Sequence, residues 1–294
     1  METLLLIEQN PIYFYSILCL LGLSVGSFLN VAIYRLPLML EKQWHTDCKI
    51  LLEGEEALDT TTGQASFNLL TPNSHCPSCE RPIKPWQNIP LLSYLILAGK
   101  CADCGNKISR RYPIIEAITA LLTVLSGFYF GASLAMGFVL LLTWSLIVLT
   151  MIDFDHQLLP DDITLPLIWL GLLANSFGVF TDLQSAVYGA IAGYLALWIV
   201  YWAFKLLTGK EGMGYGDFKL LSALGAWLGW QALPTIILLS SLVGTVVGIF
   251  VLIVKNKGKS VPIPFGPYLA IAGWIALIWG DQIIQSYLSY AGVR

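Results

Sequence analysis

Long unbroken apolar runs, rather than the 3.6-residue or alternating patterns of a water-soluble fold, set the plan of this chain. Runs near the ~20 residues needed to cross a bilayer occupy 12–34, 113–130, 133–152, 163–180, 185–207, 218–230, 233–254 and 268–290. The pattern predicts an all-α polytopic membrane protein of about eight transmembrane helices. The sixth run is short. It is kept because the apolar stretch 218–254 must reverse once, and the Gly- and Pro-bearing cluster 229–234 is its one usable turn.

Charge supports the same count, since Lys and Arg gather on the cytosolic side of short loops. With eight spans, every one of the 16 basic residues except Arg294 falls on one face, including Arg35, the group from Arg81 to Arg111, and Lys255, Lys257 and Lys259. Both termini are then extracytoplasmic and the segment 35–112 is cytosolic. The first ten residues carry Glu2 and Glu8 and no basic residue. They lack the basic start of a cleavable signal peptide, so the first run is expected to be retained, with Arg35 as its stop. Composition agrees: 56% of residues are hydrophobic and 12% charged, against roughly a quarter charged in soluble domains. The net charge of -3 says little about partners, and nothing points to nucleic acid.

The chain divides into 1–34, an extracytoplasmic N-terminus and first helix; 35–112, a small cytosolic insertion; and 113–294, a seven-helix membrane domain. The insertion is too poor in apolar residues to build a large core, and such modules commonly need a metal or disulfide staple. Its cysteines supply one. Cys76-Pro77-Ser78-Cys79 and Cys101-Ala102-Asp103-Cys104 are two CxxC turns separated by 21 residues, and two such turns place four thiolates around one zinc ion. Their surroundings repeat, Cys79-Glu80-Arg81-Pro82-Ile83 resembling Cys104-Gly105-Asn106-Lys107-Ile108. Disulfides or redox-active turns are the alternative, disfavoured in a reducing cytosol. Four thiolates leave no open position for water, so one structural Zn2+ per chain is expected. Cys19 and Cys48 read as ordinary thiols, and His75 as a neighbour of the site rather than a ligand.

Carboxylates at a bilayer edge are costly and mark candidate function. Asp153 follows the third run and Asp217 precedes the sixth, at the same cytosolic depth. Two such groups sharing one proton can act as general base and general acid on a peptide bond. Gly214 and Gly216, in Gly214-Tyr215-Gly216-Asp217, permit a tight turn ahead of the second carboxylate. Asp161 and Asp162 fit capping of the helix beginning at 163. Each feature alone has a plain alternative, a solvated loop carboxylate or a turn; the pairing gives them weight. No HExxH occurs, and Gly22-Leu23-Ser24-Val25-Gly26 lies in an apolar helix, where Gly22 and Gly26 read as packing residues.

Together these residues resemble the bifunctional type 4 prepilin leader peptidases/N-methyltransferases of bacteria. The resemblance rests on Gly26-Ser27-Phe28-Leu29-Asn30-Val31 with Arg35-Leu36-Pro37, Ser74-His75-Cys76-Pro77-Ser78-Cys79, Gly99-Lys100-Cys101, Arg111-Tyr112-Pro113 through Glu116, the run 153–160 and the run 214–217. It implies an intramembrane aspartic protease of the inner membrane that removes the basic leader of type 4 prepilins and pseudopilins after a glycine. It also implies N-methylation of the new terminus with S-adenosylmethionine, in type IV pilus biogenesis or type II secretion. Asp153 and Asp217 match the family's catalytic aspartates, Cys76, Cys79, Cys101 and Cys104 its metal ligands, and Gly99 a position linked to methylation. No dinucleotide-type glycine motif locates the methyl donor. Other classes of answer are a zinc-regulated transporter, for which the spans offer only Glu116 and Asp281, and a scaffold without chemistry.

Overall fold

A computed structural model describes residues 10–53, 67–255 and 264–290. Glu2, Glu8, Lys257, Lys259 and Arg294, which carry part of the charge argument, lie outside the described residues. Among those described, regular structure is helical apart from two isolated bridges, His75 to Pro82 and Lys100 to Lys107. The chain forms two compact units, one ending at Ala132 and the other beginning at Ser133. Six helices are long and apolar enough to cross a membrane.

In the first unit, α1 (Pro11–Glu53) packs on α3 (Arg111–Phe130), with a short helix α2 (Leu92–Ile96) between them in sequence. Expected to stop at Arg35, α1 instead runs 43 residues with Pro37 inside it. The physical reason is twofold. Leu38, Met39, Leu40, Glu41, Lys42 and Gln43 are all strong helix formers, and Arg35 is buried rather than anchored in headgroups. Its guanidinium donates to the carbonyls of Asn68 at 2.9 Å and Pro72 at 2.6 Å. Gly22 and Gly26 are packing residues: an added Cβ would lie 2.6 Å from Ala120 Cα and 2.8 Å from Glu116 Cα. Ser24 of the same string bonds back to the Leu20 carbonyl, as helical serines do.

The second unit comprises α4 (Leu134–His156), α5 (Asp161–Ser176), α6 (Leu183–Thr208), α7 (Tyr215–Leu228), α8 (Leu233–Lys255) and α9 (Gly266–Tyr290). Two expected spans are short: α5 has 16 residues and α7 has 14, about 24 and 21 Å at 1.5 Å per residue, below the ~30 Å of a hydrocarbon core. Burial explains why α7 need not match the bilayer. Ten of its residues, from Asp217 to Trp227, are buried, so protein rather than lipid satisfies its ends. The reversal expected at 229–234 is present, made by Gly229 at φ 80° and one 3-10 turn, Trp230–Ala232.

Polar side chains fix α7 in place. Asn175 donates to the carbonyls of Ala226 and Trp227 at 2.8 and 2.9 Å, and accepts from the N–H groups of Phe180 and Thr181. It thereby satisfies the end of α7 and the turn after α5 together. The Trp227 indole donates to Leu167 O at 2.8 Å, and the Ser222 hydroxyl to Ala190 O at 2.8 Å. Between α6 and α7 the backbones themselves touch: a Cβ on Gly225 would lie 2.1 Å from the carbonyl oxygen of Gly189. Gly225→Ala is therefore expected to force these helices apart and lower stability by about 1–3 kcal/mol, the usual range for overpacking. The check is thermal unfolding in detergent, where an unchanged midpoint would count against this contact.

Candidate functional site

Asp153 belongs to the last turn of α4, not to the loop beyond it. The helix ends three residues later, at His156, because Gln157 adopts the left-handed conformation, φ 54°, and its N–H caps the Asp153 carbonyl at 2.9 Å. Asp217 likewise lies inside a helix, in the first turn of α7, which begins directly after the extended Gly214. Both are almost fully buried, at 5% and 7% exposure. They line one cavity of about 630 Å3, whose other walls include Gln157, Glu211, Thr245 and Tyr268.

Glycines set the approach of the carboxylates. Gly216 must lack a side chain, since a Cβ there would sit 2.6 Å from Leu159 Cβ. Gly214 differs: its nearest neighbour to an added Cβ is Asp217 Oδ2 at 3.9 Å, an ordinary contact, so it leaves cavity wall open rather than relieving a clash. Sequence reasoning missed Gly266. Its N–H donates to Asp153 Oδ2 at 3.0 Å, and a Cβ on it would lie 2.7 Å from that oxygen. The available signal was Pro264-Phe265-Gly266-Pro267, a turn cluster directly ahead of the last span.

Asp161 and Asp162 do not cap α5 as expected. They occupy its first turn, Pro160 is the residue before it, and no side-chain cap is made. Their charge suits a helix N-terminus, and Asp161 pairs with Lys219 of α7 at 2.6 and 2.7 Å. Glu211, also missed, holds the loop before Gly214 through a 2.8 Å bond to Lys205, which keeps its carboxyl below the ordinary range.

In the first unit the sulfurs of Cys76, Cys79, Cys101 and Cys104 all lie within 4.8 Å of one another. Cys76 and Cys104 are 3.9 Å apart, near the ~3.8 Å edge of a tetrahedron with 2.3 Å zinc–sulfur bonds, and all four are free thiols. The two turns repeat in detail. Cys76 N–H bonds to Arg81 O and Glu80 N–H to Cys76 O, as Cys101 N–H bonds to Asn106 O and Gly105 N–H to Cys101 O. Glu80 and Gly105, at equivalent positions, both have positive φ. Backbone N–H groups of Ser78 and Cys79 lower the Cys76 thiol, while at Cys79 a lowering by the Arg81 N–H is outweighed by burial and by crowding from the other three thiols, the opposition expected of sulfurs gathered this closely. The donor set fits zinc, and His75 lies outside it, its ring nitrogen 3.4 Å from Asn73 O. Gly99, beside this cluster, has φ +66°, and a Cβ on it would lie 2.8 Å from the Tyr94 hydroxyl.

Comparison with known proteins matches residues 20–130 to the bacterial peptidase A24 N-terminal domain and 140–249 to the type IV leader peptidase family. The chain is 55% identical over 288 residues to a prepilin leader peptidase/N-methyltransferase of Pseudomonas aeruginosa, covering 98% of each chain. Relatives of the same name from Aeromonas hydrophila and Legionella pneumophila are 55% identical over 279 residues, 95% of each chain, and 46% identical over 285 residues, 97% of this chain and 98% of the relative. No solved structure matches the chain. Profiles for both halves in the expected order, and relatives alike from end to end, show that this protein belongs to the type IV leader peptidase family, whose members are aspartic peptidases.

Proposed function

We propose that this protein hydrolyses the peptide bond joining the leader to the mature part of type 4 prepilins and pseudopilins, and then N-methylates the residue exposed. The observation that carries the proteolytic half is the pair of buried carboxylates, Asp153 and Asp217, on one cavity. One carboxylate removes a proton from water while the other, protonated, donates to the carbonyl oxygen as the tetrahedral carbon forms. The first then passes its proton to the departing amide nitrogen as the C–N bond breaks, and the second, now ionised, takes back the proton of one hydroxyl of the tetrahedral carbon as the new carboxyl group forms. Which aspartate begins protonated belongs to the pair and not to either residue alone. The names of the full-length relatives support the substrate class and the second activity.

The segment 35–112 is, on this proposal, a cytosolic module held by one structural Zn2+ on Cys76, Cys79, Cys101 and Cys104. The segment 113–294 carries the peptidase, and both termini are extracytoplasmic in a bacterial inner membrane. S-adenosylmethionine would supply an electrophilic methyl group to the freed amine. Gly99 is proposed for methyl transfer on the family resemblance alone; its left-handed backbone and the Tyr94 hydroxyl leave no room there for a side chain.

Asp153→Asn and Asp217→Asn are each expected to lower leader cleavage by at least about 10²- to 10⁴-fold, the usual worth of a positioned acid or base, while membrane insertion and metal content persist. Wild-type cleavage of a prepilin by either purified variant overturns the two-carboxylate mechanism. For the module, Cys76→Ser should reduce copurifying zinc below one per chain and expose 67–110 to protease while the membrane helices stay inserted. Gly99→Val, if its zinc is retained, should yield cleaved but unmethylated pilin by mass spectrometry. Zinc-free wild type, or full methylation by Gly99→Val, removes the corresponding assignment.

A further inference from the structure

Glu116 plays no part in the chemistry above, yet it is 8% exposed in the second turn of α3. Its carboxylate accepts the backbone N–H of Leu91 at 2.9 Å. That bond sets the height of the segment before α2 along α3. The 20 residues of α3 measure about 30 Å, the thickness of a hydrocarbon core, and Glu116 lies about 7.5 Å inside the start at Arg111. Leu91, held at φ 56°, and α2 just after it are therefore held beside the first two turns of α3, the end at which that helix enters the bilayer.

The surface carried there suits lipid. No residue of α2 is buried; Leu95 is 73% and Ile96 67% exposed, and Leu92, Trp86 and Ile89 extend the same apolar surface. A helix of five residues cannot persist on its own bonds in water. Exposed Lys84, Lys100 and Arg110 flank the patch in sequence. Apolar and aromatic side chains bordered by basic ones form the pattern of a segment lying in a membrane interface, cations at headgroup level and apolar groups in the acyl boundary.

We infer that residues 85–96 are a re-entrant interfacial anchor, seating Trp86, Leu92, Leu95 and Ile96 in the lipid of the membrane that α3 crosses. The metal cluster is thereby tied to the membrane surface by a third attachment besides α1 and α3. A protein partner is the competing occupant, and lipid is favoured because both flanking helices are long and apolar enough to cross a membrane, Glu116 pins the segment beside the start of α3, and basic residues border the apolar patch.

Site-directed spin labelling of full-length, zinc-loaded protein tests this in nanodiscs of phosphatidylethanolamine and phosphatidylglycerol, with Cys19 and Cys48 replaced by serine. Labels are placed at Leu95→Cys, at Ile96→Cys and at the exposed reference Gln43→Cys, and zinc content confirms that each variant is folded. Oxygen should relax the labels at 95 and 96 more strongly than a water-soluble nickel complex, with the order reversed at 43. Nickel access at 95 and 96 equal to that at 43 overturns the anchor, and so does exclusion of both reagents, which would mean cover by protein. If one variant loses zinc, the other decides.

Discussion

Two carboxylates must be held together, away from lipid, by a chain that passes through lipid. A bilayer offers no hydrogen bonds, so irregular backbone and ionisable groups survive at its edge only where protein or a water-filled cavity surrounds them. The second unit meets this constraint by burying α7, its shortest long-axis element, within its own helices. Gly189 and Gly225 let backbones touch, Asn175 satisfies the end of α7, and Gly216 and Gly266 bring backbone against the site where any side chain would collide. Packing along α7 thus fixes where Asp217 begins its helix, and the left-handed cap at Gln157 fixes where the helix carrying Asp153 ends.

The four-cysteine cluster answers a different shortage. Its segment has little apolar surface to bury internally, and Cys76 is the one hydrophobic residue buried in the described part between α1 and α3. Two turns with matching hydrogen bonds bring four thiols within 4.8 Å of one another, so a metal bound there would tie the fold of the module to its own affinity. The exposed apolar residues around α2 are then surface available to the membrane rather than a failed core.

Much of this was legible in the sequence because some signals are local. The four cysteines were readable from spacing, and six long helices from runs of apolar residues. The pairing of Asp153 with Asp217 followed from span counting and charge. What escaped depends on contacts distant in sequence. Gly266 reaches Asp153 across 113 positions, and no periodicity announces an N–H aimed at a carboxylate. Arg35 looked like the stop of the first span, but its partners are carbonyls more than thirty residues on, which let α1 continue. Asp161 had the residue type of a cap, and its bond to Lys219 appears only once α5 and α7 are packed.

If both carboxylates face the reacting carbonyl carbon, the site should bind a mimic of its tetrahedral state far better than the planar amide. In a peptide spanning the leader junction, a hydroxyethylene unit replaces the scissile amide, and its binding to purified protein is compared with that of the amide peptide held by inactive enzyme. Wild type should prefer the mimic by at least about 10²-fold, as enzymes prefer transition-state analogues, and Asp153→Asn and Asp217→Asn should each lose that preference while still binding the amide peptide. An undiminished preference in either variant would contradict the account.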